Sequence, residues 1–399
     1  MSAASTNGKG AKRAIIVGCG TAGPVLAMFL RRAGIDPVVY EGRSEPDDAA
    51  GYFLNLAPNG VSVLDTLGIG DEVVGRGTPT TAIVLRNHRA KALGTVPEGS
   101  VLIKRGALNG ALRDAALRDG VSVEFGRRLA DVETTNRGAV VARFADGSEA
   151  EGDLLVGCDG IWSRTRRSAM PDAPAPRYAG LIDSGGFTHA TNLPPSGGVF
   201  NMTFGTEGFF GYQVLDSGEV YWFENHHAAS EPARGELEAT PDVGWRRRLL
   251  DLHRHDHDPI SDIIGSTETT IGRWPNYEMP SLPTWNAGRV CLVGDAAHAM
   301  QPSAGQGASM ALEDAIVLAK CLRDVPEVED AFAAYERLRR GRVEKFAEAS
   351  RRNGSRKRPT NALSRGVRDL MMPVFVKMAA RNAAHGHAYK VEWKEKVAS

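Results

Sequence analysis

The stretch that most constrains this fold is residues 14–41, "AIIVGCGTAGPVLAMFLRRAGIDPVVYE". Residues 14–17 form a short apolar run that reads as a buried strand and stops at a glycine turn. Val25, Leu26, Phe29 and Leu30 then recur at helical spacing, and "DPVVYE" supplies a second strand. The whole is a β-α-β unit of about 30 residues, the size of a mononucleotide-binding half. Gly18, Gly20 and Gly23 stand in G-x-G-x-x-G spacing. The first glycine permits the tight turn, the second lets a pyrophosphate approach the backbone, and the third lets the helix pack closely on the strand. The helix start, with Thr21 and Ala22, offers free N–H groups and a partial positive charge to phosphates. Glu41 ends the second strand, where a carboxylate can accept both hydroxyls of an adenosine ribose. The unit predicts a dinucleotide site and leaves NAD and FAD both open.

A chain of 399 residues has room for two or three domain-sized units. Lys and Arg balance Asp and Glu at 48 each, so overall charge gives no argument for nucleic acid or an anionic membrane as a partner. No apolar run approaches the ~18 residues of a membrane-spanning helix. The polar start, "MSAASTNGKGAKR", lacks a signal-peptide core. It reads as a disordered tail over residues 1–11 of a cytoplasmic protein. Cys19, Cys158, Cys291 and Cys321 are scattered, which favours reduced thiols over disulfides or a metal site.

Further along, "VLIKR" reads as a short strand and "GALNGALRDAALRDG" as a helix with Leu108 and Leu112 inward. "DLLVGCDG" and "GRVCLVGD" are buried strands with polar ends. Between them, "VFNMTF", "FFGYQV" and "EVYWF" suggest an antiparallel sheet, and "STETTIGRW" a further strand. The expected architecture is α/β. A nucleotide-binding Rossmann-like domain with a parallel sheet is assembled from 12–80, 100–175 and 280–325. An antiparallel substrate domain is built from 81–99 and 176–279, and residues 326–399 form a C-terminal helical region.

Two more segments carry polar residues at strand ends. "GDLLVGCDGIWSRTR" holds Asp159 and Gly160, with Ser163 and Arg166 beyond them. "LVGDAAHAMQPSAGQG" holds Asp295 and His298, which by spacing alone could be an acid–base pair, two metal ligands, or neither. With the glycine fingerprint, the three segments resemble, in order and spacing, the signatures of the single-component FAD-dependent aromatic-ring monooxygenases. That family includes para-hydroxybenzoate hydroxylase, and the resemblance runs from about residue 12 to about residue 352. It implies FAD as cofactor and NADPH or NADH as a transient co-substrate. No second G-x-G-x-x-G is needed, because relatives bind the nicotinamide along a groove. It implies insertion of one oxygen from O2 into an aromatic or polycyclic molecule, by hydroxylation or epoxidation through a flavin C4a-hydroperoxide, in aromatic catabolism or secondary metabolism. The same fold with oxygen dropped, a flavin reductase or dehydrogenase, is the alternative.

The resemblance also assigns residues. Asp159 would help hold the flavin side and the nicotinamide donor. Asp295 would accept from the ribityl chain. The loop from Pro302 through Gly305 to Gly307 would pass beside the flavin ring, with the helix from about Ala308 aimed at it. Ser309 stands where many relatives carry Asn. Arg105 matches an arginine near the flavin phosphates, Arg43 one beside the adenosine, and Leu129 a position whose backbone meets adenine. His298 reads as a strut holding the loop, since a His with one carboxylate is more often a hydrogen-bonding residue than a base. The substrate would lie against the inserted sheet. Its candidates are Phe187, Phe200, Met202, Phe204, Phe210, Tyr212, Trp222, Glu224 and His226, with Phe210, Tyr212, Trp222 and Pro302 preferred. Alternation lets only about half of the strand residues face a pocket. "HRHDHD" reads as a solvated helix end rather than a metal site. "RRNGSRKR" reads as a solvated basic junction, with contact to an anion or membrane surface as the minor reading. No metal is expected, and the assembly is expected to be a monomer or homodimer.

Overall fold

The computed structural model describes residues 12–49, 51–135, 138–189, 192–357 and 361–397. The expected 1–11 tail lies outside them. The six-stranded first sheet runs in the order Asn286–Ala287, Val290–Leu292, Leu154–Gly157, Arg13–Val17, Asp36–Tyr40, Ser122–Glu124, and all its pairings are parallel except the first. Its central strands are apolar on both faces because helices cover one side and a three-stranded meander (Leu129–Thr134, Val140–Phe144, Glu149–Gly152) covers the other. The Ala22–Arg32 and Gly307–Asp324 helices pack together over this sheet and share its core.

Two fingerprint glycines are dictated by packing. Gly18 has φ +106, and a Cβ there would stand 2.5 Å from the Cys158 carbonyl oxygen. A Cβ on Gly23 would stand 2.0 Å from the Gly18 carbonyl oxygen. A Cβ on Gly20 would meet nothing within 4 Å, because that residue opens onto the cleft described below.

The eight-stranded second sheet runs Gly272–Glu278, Arg177–Thr188, Val220–His227, Gly208–Val214, Val199–Phe204, Thr78–Asn87, Ala92–Lys104, Phe53–Leu56. Most of its neighbours are antiparallel, but Val199–Phe204 lies parallel to Thr78–Asn87. The Asp242–Leu252 and Ile260–Gly265 helices cover one face, burying Trp245, Leu249 and Ile263 against Phe210, Val220 and Trp222. The C-terminal helix Ala362–His387 meets the other face, where Met372 and Val376 pack on Leu93, Phe204 and Phe209.

Several boundaries differ from expectation. Residues 101–104 of "VLIKR" are the end of the 13-residue strand Ala92–Lys104, and its Arg105 opens the next helix. The division at 99/100 therefore falls inside one strand, and Phe53–Leu56 also joins the second sheet. Pro97 and Gly99 sit within Ala92–Lys104 where its pairing with Thr78–Asn87 is bulged. The strand expected from "STETTIGRW" occupies Gly272–Glu278, after a loop.

Candidate active site

A single cleft of ≈ 1920 Å³ runs from the Gly18–Gly23 turn, past the carboxyl ends of the parallel strands, to the second sheet and the C-terminal helix. Small-ligand pockets usually hold about 300–1,000 Å³, so this one has room for a dinucleotide and a second molecule.

At the dinucleotide end, Gly18, Gly20, Thr21 and Ala22 line the cleft at the start of the Ala22–Arg32 helix. Gly23 supports them from behind. Glu41 receives the backbone N–H of Cys19 at 2.8 Å and of Arg43 at 2.9 Å, so the turn itself orients its carboxylate. Arg43, Arg105 and Leu129 also line this end, Leu129 with its side chain in the core. Sequence reading missed Asn109 and Arg113, which share the cleft with Arg105. All three sit on the Arg105–Arg118 helix four residues apart, and that i, i+4, i+8 spacing was the available signal. Arg113 forms a bidentate pair with Asp48 at 2.7 and 3.1 Å and bonds Asp114 as well, which raises its pKa further.

The second signature is built differently from expectation. Asp159 accepts from Ser163 Oγ (2.6 Å), Arg164 N (2.8 Å), Thr165 N (2.9 Å) and Thr165 Oγ1 (3.0 Å). Its carboxylate thus holds the start of the Arg164–Ala169 helix, and Asp159 lines the cleft together with Cys158, Gly160 and Ile161. Arg166 is buried and donates to the carbonyls of Ala296 and Ile161, tying this turn to the third signature.

In the third signature the two candidate residues part company. Asp295 is half-buried, faces the cleft and has no hydrogen-bond or ion-pair partner among the described residues. His298 is buried and does not line the cleft; its Nε2 lies 2.5 Å from Asp314 Oδ2. Asp314 also accepts from Gly294 N at 3.1 Å and Arg339 Nε at 2.7 Å. Burial alone would raise the Asp314 pKa, but His298 and Arg339 overcome it and hold it at about 2. His298 thus braces the turn that presents Asp295.

The loop Pro302–Gly307 and Ala308 line the middle of the cleft. Gly305 adopts φ +62, and the Gly307–Asp324 helix begins at the cleft wall. The loop is pinned from both sides. Asn59 donates to Gln306 (3.1 Å) and Glu313 (2.7 Å), Asn353 donates to the Ser303 carbonyl (3.3 Å), and Ser350 donates to that of Gln301. Ser309 is fully buried and accepts from Ala57 N at 3.2 Å, so it fastens the helix to the Pro58–Leu67 segment instead of facing the cleft.

At the far end the strand phase is the reverse of the preferred one. Phe210 and Tyr212 point away from the cleft towards the covering helices. Trp222 touches the cleft, but its ring stacks on Phe210 at 5.5 Å and its Nε1 donates to Thr267 Oγ1. Their neighbours Phe209 and Phe223 face the cleft instead, with Phe200, Met202 and Phe204. Glu224 and His226 belong to the buried side, where His226 Nδ1 lies 3.0 Å from Glu224 Oε2. In "HRHDHD" Arg254, His255 and Asp258 are exposed at the helix end as expected, but His253 is fully buried between Asp256 (2.7 Å) and Glu224 (3.8 Å). Among the described residues no group of three or more His, Cys, Asp or Glu is arranged to hold a metal ion.

One polar group interrupts the apolar end. Lys357, from the "RRNGSRKR" run, turns inward. Its Nζ donates to Asn225 Oδ1 at 2.7 Å and lies 4.3 Å from the Phe209 ring centroid. Asn225 and Asn276 each donate to Asp183, at 2.7 and 2.8 Å. Burial pushes Lys357 down to about 8 against the pull of Asp183 and Glu224, and burial pushes Asp183 up to about 6.

Comparison with known proteins gives this geometry a family. The family described as an FAD binding domain matches residues 12–350. The chain is 31% identical to aurachin C monooxygenase/isomerase from Stigmatella aurantiaca over 372 residues, covering 90% of this chain and 93% of that protein. It is 32% identical to 3-amino-4-hydroxybenzoate 2-monooxygenase from Streptomyces cremeus over 354 residues, covering 85% and 86%. Its fold matches the crystal structure of Klebsiella pneumoniae HpxO complexed with FAD and uric acid, with a TM-score of 0.84 at 24% identity over 94% of this chain and 96% of that one. The residues present suit the cofactor: a side-chain-free approach at Gly20, an oriented Glu41, and an unpartnered Asp295 over a long cleft. The chain belongs to the FAD binding domain family and is an FAD-dependent monooxygenase.

Proposed function

We propose that this monooxygenase uses NAD(P)H and O2 to hydroxylate or epoxidise a largely apolar aromatic or polycyclic molecule that carries an acidic oxygen. The observation that carries the reading is the continuity of the cleft from the glycine turn to the Phe209 and Phe223 wall, with Lys357 as the cation at its apolar end. The names of the relatives, which include three acting on 3-amino-4-hydroxybenzoate, support an aromatic substrate class.

When bound, FAD supplies the redox chemistry that takes up hydride and activates oxygen. The chain's own residues do the rest. The Gly18–Gly23 turn and its helix N-terminus bind phosphate, and Arg43, Arg105 and Arg113 add positive charge. Glu41 accepts ribose hydroxyls, and Asp295 accepts from the ribityl chain. The small residues of 302–308 admit the ring, and the helix they open favours negative charge beside it. The aromatic wall excludes water, and Lys357 orients the substrate by its oxygen. Four free cysteines suit a reducing compartment, so we place the enzyme in the cytoplasm, as a monomer or homodimer.

The test is a screen of phenols, hydroxyquinolines and polyketide-like aromatics for stimulated NAD(P)H oxidation by the yellow, FAD-loaded protein. Incorporation of labelled oxygen from 18O2 into product supports the reading. Product formed equally well without O2 would make the protein a reductase or dehydrogenase instead.

A further inference from the structure

The C-terminal helix Ala362–His387 is apolar on two opposite sides. Met372, Phe375 and Val376 face the cleft. Leu363, Val367, Leu370, Met371 and Val374 are 42–79% exposed, and at 100° per residue they fall within an arc of about 100°. Monomeric proteins rarely leave such a stripe uncovered. The surrounding sequence is charged in one sense. Residues 361–387 contain four Lys and Arg and one Asp, a surplus of three positive charges in a chain whose overall balance is zero. An interface between two copies of this segment would set like charge against like charge. An anionic lipid surface meets both features, apolar side chains entering the acyl boundary and basic ones meeting headgroups. Among the described residues no helix is long and apolar enough to cross a membrane, so the contact is one of lying on the surface.

We propose that the outer face of the Ala362–His387 helix docks the enzyme onto anionic membrane surfaces. The inner side of the docked helix is the cleft wall, so docking sets the lipid boundary one helix away from the bound substrate.

The experiment is flotation of FAD-loaded full-length protein with vesicles of phosphatidylcholine alone or of phosphatidylcholine with phosphatidylglycerol. The comparison is with the double variant Leu363→Ser, Leu370→Ser, whose flavin absorbance and melting temperature confirm an intact fold. Wild type should float with the anionic vesicles, at least tenfold more than with phosphatidylcholine, and 0.5 M salt should reduce the bound fraction. The double variant should lose tenfold or more. Wild type that stays soluble with both vesicles, or binds both equally, overturns the proposal. So does a wild-type dimer in sedimentation that the double variant dissociates, because a second copy then covers the stripe. Flotation measures no turnover, so its failure leaves the monooxygenase reading untouched.

Discussion

Asp295 and His298 are three residues apart, yet one faces the cleft and the other faces the core. Asp295→Ala removes an acceptor that costs the protein nothing to present. FAD dissociation should rise by about 10- to 100-fold, equivalent to a charged hydrogen bond of about 1.5–3 kcal/mol, with the melting temperature of the apoprotein unchanged. His298→Ala should do the reverse. It removes a buried partner of Asp314 and should cost about 1–3 kcal/mol of stability in denaturant unfolding while retaining flavin. Loss of FAD from both variants alike would remove the distinction. Lys357 gives a pH test. Its pKa near 8 leaves it cationic at neutral pH and neutral above. The kcat/KM for an acidic phenol should fall as pH rises through about 8. Lys357→Met should raise KM roughly tenfold and abolish that alkaline limb. Asp295 could be singled out as a candidate through the family resemblance its segment carries, while spacing alone left its role open. Lys357 could not be: a basic run gives no local sign of which cation turns inward.

At the scale of elements, the β-α-β unit was legible because its strand, glycine turn and amphipathic helix are all local patterns. The phase of the second sheet was not, because both of its faces are covered. The cleft and Met372 lie on one side and Trp245 and Ile263 on the other, so the alternation of apolar and polar residues that fixes phase is missing. The adjacent pair Phe209 and Phe210 probes the result. Phe210→Ala should destabilise by about 3–5 kcal/mol with little change in KM of the folded fraction, whereas Phe223→Ala, on the side of Phe209, should change KM first. The helix pair behind the sheet carries a titration of its own. Burial works against a charge on His253, but Asp256 and Glu224 overcome it and lift its pKa from 6.5 to about 9. A raised pKa means the folded state holds the proton more tightly. That stabilisation is complete below pH 6.5 and lost as pH climbs through 9. Melting temperature should slope downwards across this window, and His253→Gln should flatten the slope.

Over the whole molecule, much of the cleft lies against two hydrogen-bonded sheets, each sewn from distant stretches of chain, with the Arg105–Arg118 helix and the 302–308 loop between them. Residues 53–104 and 177–278 share one ladder, so those walls cannot part without breaking strand pairs. The wall beside the aromatic end is of another kind. The Ala362–His387 helix is held at the cleft by Met372, Phe375 and Val376 in a small apolar cluster, by Arg368 over the Phe204 ring, by a bond from Asn87 Nδ2 to Asp369 and by one from Arg342 to the Gly386 carbonyl. These are side-chain contacts and single hydrogen bonds, with no strand ladder among them. Traffic into the cavity should therefore pass this helix. Hydrogen exchange should find its amides opening by a partial route, faster than those of Val220–His227, and a bound aromatic should slow them selectively. If turnover is limited by escape of product, the rate of the enzyme is set by how often one helix lifts, and stiffening its seat with a larger residue at Val376 would slow catalysis without touching the flavin.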